Sequence, residues 1–245
     1  MSPLTIIYAL LLYTATTVLI AGLAYRIVRY ARTPAPLKIP TTPAPTTLPG
    51  VVLRMLKEVF LFSSLFKANK PTWIFGWLFH FAMLIVLLGH LRYFLEPVWP
   101  WVYVVQLYGV YTGSVMLVGL AGLWLRRIFI DRVRYISAPS DHLMLALLAA
   151  IAVTGILMRT VFYTNPVAVK FFVQGLIDFD WQPIPSDGIL LIHLGLVVTL
   201  MIIFPYSKLL HAPAVFFSPT LNQVDNPRER RHLASWAEDL ESKKR

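Results

Sequence analysis

The sequence predicts an all-α integral membrane protein: a bundle of five transmembrane helices with one cytoplasmic interfacial helix at about residues 51–69. Three observations carry this. Of the 245 residues 57% are hydrophobic and the mean hydropathy is +0.65, far from a soluble globular average. Five apolar stretches each reach the roughly 20 residues that a helix needs to cross a bilayer. The basic residues are also sorted, for 19 of the 22 Lys and Arg fall on connections that five spans would bring to a single side.

The first span is residues 4–25; no basic segment precedes it and no convincing cleavage site follows, so an uncleaved span is expected rather than a signal peptide. Residues 26–50 form a basic, Pro/Thr-rich connector that should be extended rather than helical. Residues 51–69 are apolar on one side and interrupted by Arg54, Lys57, Glu58 and Lys67. That suits a helix lying in the headgroup layer, and docking against a partner is the competing reading. The second span is 73–94, followed by the aromatic, proline-bearing loop 95–101 of an interfacial belt. The third is about 102–125 and stops at Arg126–Arg127; Gly109-x-x-x-Gly113 with Gly119 and Gly122 permits close helix packing. The fourth is about 142–162, and a long loop, 163–187, leads to the fifth at 188–208. The helix should run on to His211 and end at Ala212–Pro213. The chain thus divides into a membrane domain over 1–211 and a polar tail over 212–245, too short to be a domain of its own.

Only Arg92, Arg159 and Lys170 lie on the other side, so the positive-inside rule puts the N-terminus outside and the C-terminus in the cytoplasm. The net charge of +10 is thereby explained by topology, with no nucleic acid needed. The lipid bilayer is the first partner, and a multi-pass protein of the cytoplasmic (inner) membrane is expected. The chain has no cysteine, which excludes disulfides, thiolate-held iron–sulfur clusters and covalent c-type haem.

Four histidines organise the apolar stretches: His80 and His90 in the second span, His193 in the fifth, and His211 at its end. An imidazole surrounded by hydrocarbon is costly unless it is coordinated or hydrogen-bonded, so an intramembrane histidine points to function. The blander reading is a satisfied core histidine. Depth allows one pairing only, His90 with His193 towards the outside and His80 with His211 towards the cytoplasm. The gaps, about 15 Å and about 27 Å of helix, do not match, and tilt or a distortion at Pro205 must absorb the difference. On a continuous helix His193 and His211 share one face, while His80 and His90 stand about 80° apart. Zinc wants its ligands gathered at one place; haem iron needs only two from the protein. Two b haems are the cofactors this pattern suits, with small residues such as Gly76, Gly89 and Gly195 beside them. His142, beside Asp141, could compete for the inner iron; His232 belongs to the charged tail.

Five spans with histidines spaced as His80/His90 and His193/His211 resemble the gamma subunit of respiratory nitrate reductase, over about residues 1–211. The segment HAPAVFFSPTLNQVDNPRERRH, 211–232, is similar to that of the membrane cytochromes b of heterodisulfide reductase-like complexes. Among these it most resembles the cytochrome b subunit of the membrane complex linked to dissimilatory sulfite reductase. The resemblance implies a di-haem cytochrome b moving electrons between menaquinone or a related quinone near the outer haem and a cytoplasmic partner. That makes it an electron-transfer subunit of a quinol/quinone oxidoreductase complex in sulfur metabolism. It implies as partners a cytoplasmic heterodisulfide-reductase-like iron–sulfur subunit, a second quinone-interacting membrane subunit, a periplasmic iron–sulfur protein and a periplasmic multihaem cytochrome c.

Gly89 matches the glycine before the outer ligand in the nitrate reductase subunit, where quinol binds nearby. The position of a basic quinone-site residue of that family is Val110 here. Arg92, Tyr93, Arg159 and Asp187 are candidate quinone or propionate contacts by position. Arg92 could instead snorkel, and Asp187 could cap the fifth helix with Ser186. Residues 222–231 are the expected docking segment for the iron–sulfur subunit, a solvated charged face being the alternative. Two other functions compete. A nitrate reductase gamma subunit is the near rival, against which the tail weighs. A transporter or a structural anchor without haem is the distant one. A transporter predicts repeats and buried acids, yet no repeat is found and no span carries Asp or Glu in its middle.

Overall fold

A computed structural model describes residues 2–35, 40–225 and 239. All regular structure among them is helical. They form eleven α-helices: α1 Pro3–Arg32, α2 Leu48–Leu61, α3 Ser63–Ala68, α4 Lys70–His90, α5 Pro100–Leu107, α6 Gly109–Phe129, α7 Asp131–Ile136, α8 Pro139–Thr160, α9 Pro166–Ile177, α10 Gly188–Ile203 and α11 His211–Ala214. Five are long and apolar enough to cross a membrane, namely α1, α4, α6, α8 and α10, the last counted to Tyr206 through a 3-10 turn. The protein is a multi-pass membrane protein, as the apolar stretches predict.

The chain forms two compact units. One draws on the chain up to Leu19 and on Leu65–Ile203. Within it α4 and α6 lie in backbone contact. A Cβ on Gly119 would come 2.8 Å from the Phe79 nitrogen and 2.9 Å from the Phe75 carbonyl, so only glycine lets these helices meet there. Phe79, Ala82, Met116, Leu120 and Ala152 bury one core that joins α4, α6 and α8. A second core joins the start of α1 to α9 and to Ile184. Tyr8 donates to the Leu191 carbonyl at 2.9 Å. Tyr13 donates to the Leu176 carbonyl at 2.7 Å, and its own oxygen accepts from the Trp181 indole at 3.0 Å. These are half-buried polar groups, each given a partner.

The other unit draws on Ile20–Ser64 and the chain from Phe204 onward. Here Gly22 lies against Pro205, which a Cβ would approach to 2.6 Å. Arg26 Nε donates to the Pro205 carbonyl at 3.1 Å. Tyr30 packs its ring against Phe217 at 5.9 Å. Two backbone hydrogen bonds tie the tail to the connector: Thr41 N–H to the Thr220 carbonyl at 2.9 Å and Asp225 N–H to the Pro45 carbonyl at 2.8 Å.

Several expectations are corrected. Residues 26–32 are helical, not extended, because the helix of the first span runs on to Arg32 and stops only before Pro34. The interfacial helix is two, α2 and α3, broken at Phe62 in the left-handed region (φ 50°). Glu58 stitches the break. Its carboxylate accepts from the Ser63 hydroxyl (3.0 Å), the Ser64 N–H (3.0 Å) and the Ser64 hydroxyl (2.7 Å). Leu53, Leu56 and Phe60 stand exposed on α2, as both the headgroup and the docking reading require.

The third span does not start at 102: α5 ends at Leu107 and α6 begins at Gly109, after the non-helical Tyr108. Gly109 meets nothing a Cβ would touch, so it takes no part in the packing expected of Gly109-x-x-x-Gly113. The loop 163–187 contains α9, started by Asn165, whose side chain accepts from the Val167 N–H at 3.0 Å, with Pro166 at the first helical position. The fifth span's helix ends at Ile203, and 3-10 turns at Phe204–Tyr206 and Lys208–Leu210 carry the chain to His211. A proline within a helix removes a backbone donor and clashes with the preceding turn, so the continuous helix assumed for His193 and His211 does not exist. Pro213 does not end a helix either; it sits in the first turn of α11, where no intrahelical donor is needed.

Candidate functional site

The four histidines share one ring arrangement. On α4, His80 Nδ1 lies 2.7 Å from the Gly76 carbonyl, and His90 Nδ1 2.7 Å from the Val86 carbonyl. His211 Nδ1 lies 2.9 Å from the Lys208 carbonyl. A carbonyl oxygen only accepts, so in each case the proton is on Nδ1. His193, on α10, reaches the same state through a side chain. Its Nδ1 is 2.9 Å from Thr154 Oγ1 on α8, and that hydroxyl donates back to the Ala150 (2.8 Å) and Ile151 (3.0 Å) carbonyls. The hydroxyl hydrogen being so used, its oxygen accepts from the ring. In all four the lone pair is therefore on Nε2, the state of a histidine ready to ligate a metal whose second ring nitrogen is held from behind.

His142 is the opposite. The Trp124 indole donates to its Nδ1 at 3.1 Å, so the neutral ring carries its proton on Nε2 and has no lone pair there. Asp141, its neighbour, accepts from the Ala138 N–H at 3.0 Å and pairs with Arg127 at 3.7 Å. Both residues thus take a structural role at the N-terminus of α8. His232 and residues 226–231 of the expected docking segment lie outside the described residues.

His193 is 9% exposed, and His90 lies within electrostatic reach of it. Both belong to the same unit. Gly155 of α8 lies flat against the His193 ring, its would-be Cβ 3.5 Å from Cε1. His80 packs edge-on to Phe79 with ring centres 4.9 Å apart. His211 belongs to the other unit, behind Ser207, whose hydroxyl accepts from the Leu209 N–H at 3.1 Å. Among the described residues no three or more of His, Cys, Asp and Glu gather where they could hold an ion. Imidazoles each held from behind are what these four residues offer. That donor set fits haem iron, which takes four ligands from the porphyrin and two from the protein.

The candidate quinone residues fall into two groups. At the C-terminal end of α4 the Arg92 guanidinium sits 5.5 Å from the Tyr93 ring centre. Arg159, at the end of α8, also acts on the Tyr93 hydroxyl, and the His90 and Tyr93 rings are 6.0 Å apart. Arg92, Tyr93 and Arg159 therefore form one cationic cluster beside His90. Gly89 faces α5, its would-be Cβ 3.9 Å from Gln106 Cα and in ordinary contact. Asp187 is committed elsewhere: it accepts from the Thr164 hydroxyl and, at 3.2 Å, from the Ile189 N–H, capping α10. Gly76 meets Leu65 and Gly195 meets Tyr8, each in ordinary contact.

Sequence reasoning missed Glu96, Gln174 and the role of Lys170. These line, with Arg92, Tyr103 and Phe171, a cavity of about 260 Å³. Lys170 and Gln174 hydrogen-bond the Glu96 carboxylate, and they hold it below the usual carboxylate range. The signal was present in Asn165–Pro166, a helix start that puts Lys170 and Gln174 one turn apart on one face.

The sequence profile of the nitrate reductase gamma subunit family matches residues 47–224. Two relatives are named as Hdr-like menaquinol oxidoreductase cytochrome b-like subunits. One, from Archaeoglobus fulgidus, is 37% identical, covering 91% of this chain and 81% of the relative. The other, from Archaeoglobus profundus, is 35% identical, covering 96% and 84%.

Proposed function

The chain belongs to the nitrate reductase gamma subunit family, and from that premise we propose that it is the di-haem cytochrome b subunit of an Hdr-like menaquinol oxidoreductase. It exchanges electrons between menaquinol, or a related quinone, near the outer face and a cytoplasmic iron–sulfur subunit of heterodisulfide-reductase type. The observation that carries the reading is the shared tautomer of His80, His90, His193 and His211, which His142 lacks. The relatives' names and the 218–229 tail favour this complex over a nitrate reductase.

In this reading residues 1–211 are the membrane domain, with the N-terminus outside, and 212–245 the cytoplasmic docking tail. His90 and His193 hold the outer haem, and His80 and His211 the inner one. The two haems, when bound, supply one-electron carriers on either side of the bilayer. The protein's own share is to fix the rings. A hydrogen bond behind each Nδ1 sets the rotamer and raises the basicity of Nε2. Arg92 and Arg159 orient a quinol oxygen beside Tyr93 and favour its ionised form, since an opposite charge nearby lowers a group's pKa. The second quinone-interacting membrane subunit, the periplasmic iron–sulfur protein, the multihaem cytochrome c and a place in sulfur metabolism complete the proposal.

The test is a pyridine haemochrome assay with reduced-minus-oxidised spectra on the purified protein and on His193→Ala and His211→Ala. Two b haems per chain are expected, with each variant losing one, and menaquinol should reduce the wild-type spectrum. A colourless wild-type protein would overturn the cytochrome reading and return the transporter and anchor alternatives.

A further inference from the structure

A second cavity, of about 370 Å³, opens at the opposite end of α4 from His90, between the start of α4 and the last turns of α6. Its floor exists because position 122 is glycine. A Cβ there would run into the Phe75 ring at 2.2 Å, so the ring lies directly on the α6 backbone. Phe75, Leu125 and Phe129 make apolar walls, and no acidic residue lines the cavity. Three polar side chains line it, Asn69, Thr72 and Arg126, and the Thr72 hydroxyl is spent on Asn69. Asn69 spends its carbonyl oxygen on the Thr72 N–H (2.9 Å) and hydroxyl (2.6 Å), which leaves its NH₂ as a donor. Among the described residues the Arg126 side chain makes no hydrogen bond or ion pair, in contrast to its neighbour Arg127, which is bound to Ser137 (3.1 Å) and Asp141 (3.7 Å).

We propose that this cavity is a binding site for one anionic phospholipid, its phosphodiester held by Arg126 and the Asn69 amide and its acyl chains lying against Phe75, Leu125 and Phe129. The chemistry at the mouth is that of phosphate recognition: a guanidinium and an amide, both donors, with no competing carboxylate. The setting selects a lipid as the source of that phosphate. Both helices end here, α4 at Lys70 and α6 at Phe129, so the cavity lies at headgroup depth with its apolar walls on the bilayer side. Leu125 and Phe129 are exposed, a cost in water that acyl chains remove. Basic pockets between spans at the arginine-rich side of a membrane protein suit anionic headgroups. The assignment is independent of the haems.

The test uses the full-length protein in nanodiscs of phosphatidylcholine doped with phosphatidylglycerol, followed by native mass spectrometry of the released chain. One phosphatidylglycerol per wild-type chain should survive delipidation. Arg126→Gln should weaken its retention about tenfold, the scale of one charge-assisted hydrogen bond, and Arg126→Lys should keep part of it. Arg132→Gln removes the same charge from an exposed neighbouring position and should change nothing. Equal loss in Arg126→Gln and Arg132→Gln would mean diffuse attraction and overturn the site. Displacement by millimolar inorganic phosphate as effectively as by lipid would make it a free-phosphate site and overturn the lipid assignment, and equal retention of phosphatidylcholine would remove the role of charge. Thermal unfolding of each variant separates these outcomes from misfolding.

Discussion

Thr154→Val is the sharpest perturbation of the proposed outer site, because it replaces no ligand and leaves the side-chain shape almost unchanged. It removes the oxygen that accepts from His193 Nδ1 at 2.9 Å in a place where the ring is 9% exposed. A buried donor stripped of its acceptor costs about 1–3 kcal/mol. The Ile151 carbonyl is also within reach of the ring and takes up part of the loss. The low end of that range is therefore expected, about 1 kcal/mol, or roughly fivefold in haem affinity. A second effect has a definite sign. Less electron density reaches Nε2 once its partner nitrogen has no acceptor, which disfavours ferric iron and raises the midpoint potential of one haem only. The assay is a potentiometric titration of the b-haem bands with haem content measured alongside. Thr154→Ser, which keeps the hydroxyl, should behave as wild type. If Thr154→Val retains both haems with both potentials unmoved, the role given to the tautomer is wrong.

Other outcomes rest on the same geometry. Gly119→Ala forces α4 off α6, since the clash is with backbone at 2.8 Å. It should cost about 1–3 kcal/mol, read as a lower unfolding temperature in detergent. Gly109→Ala, with open space around it, should be silent in the same measurement. Glu58 is raised by its partial burial, but the hydrogen bonds from Ser64 and Ser63 outweigh this and hold its pKa below the usual value of 4.5. A depressed carboxylate stabilises the fold above its unfolded pKa and ceases to do so as pH falls through the folded one. The α2–α3 junction should thus stay protected in hydrogen exchange at about pH 6 and open on acidification below the ordinary carboxylate range. Glu58→Gln should open it without acidification; unchanged protection in that variant would refute the stitch. In the cavity beside Arg92, Lys170→Met should release Glu96 and raise the carboxylate's pKa, measurable by the pH at which a probe on α9 loosens.

The spans were legible because each is a long apolar run, and length with hydropathy is all that crossing a bilayer requires. The histidines were legible for a related reason: a polar ring in hydrocarbon stands out against its neighbours. What escaped were features set by short-range chemistry. The α9 helix lay inside a stretch read as loop, although Asn165–Pro166 announces it; it is apolar, but its twelve residues fall short of the roughly 20 that a span needs. The division at Tyr108 escaped as well, because Trp101–Val105 is as apolar as the span after it. The tautomers could not be read at all. They depend on which carbonyl or hydroxyl each Nδ1 meets, and Thr154 is 39 residues from His193.

The break after Ile203 changes how the four ligands should be reasoned about. On one straight helix the spacing of His193 and His211 is about 27 Å against about 15 Å for His80 and His90, a mismatch that counts against two paired sites. That objection assumes helix continuity, and Pro205 removes it. The chain leaves α-helical geometry at Phe204, restarts at Ser207, and orients His211 by a local turn that includes its own Nδ1 contact to Lys208. His211 is thus aimed by the residues just before it rather than by the face of α10. The same logic separates Arg126 from Arg127. Identical residues, one position apart, differ wholly in commitment, because one meets the cap of α8 and the other a cavity. In both cases the residue type is a matter of sequence, but its role is decided by the first polar group it reaches.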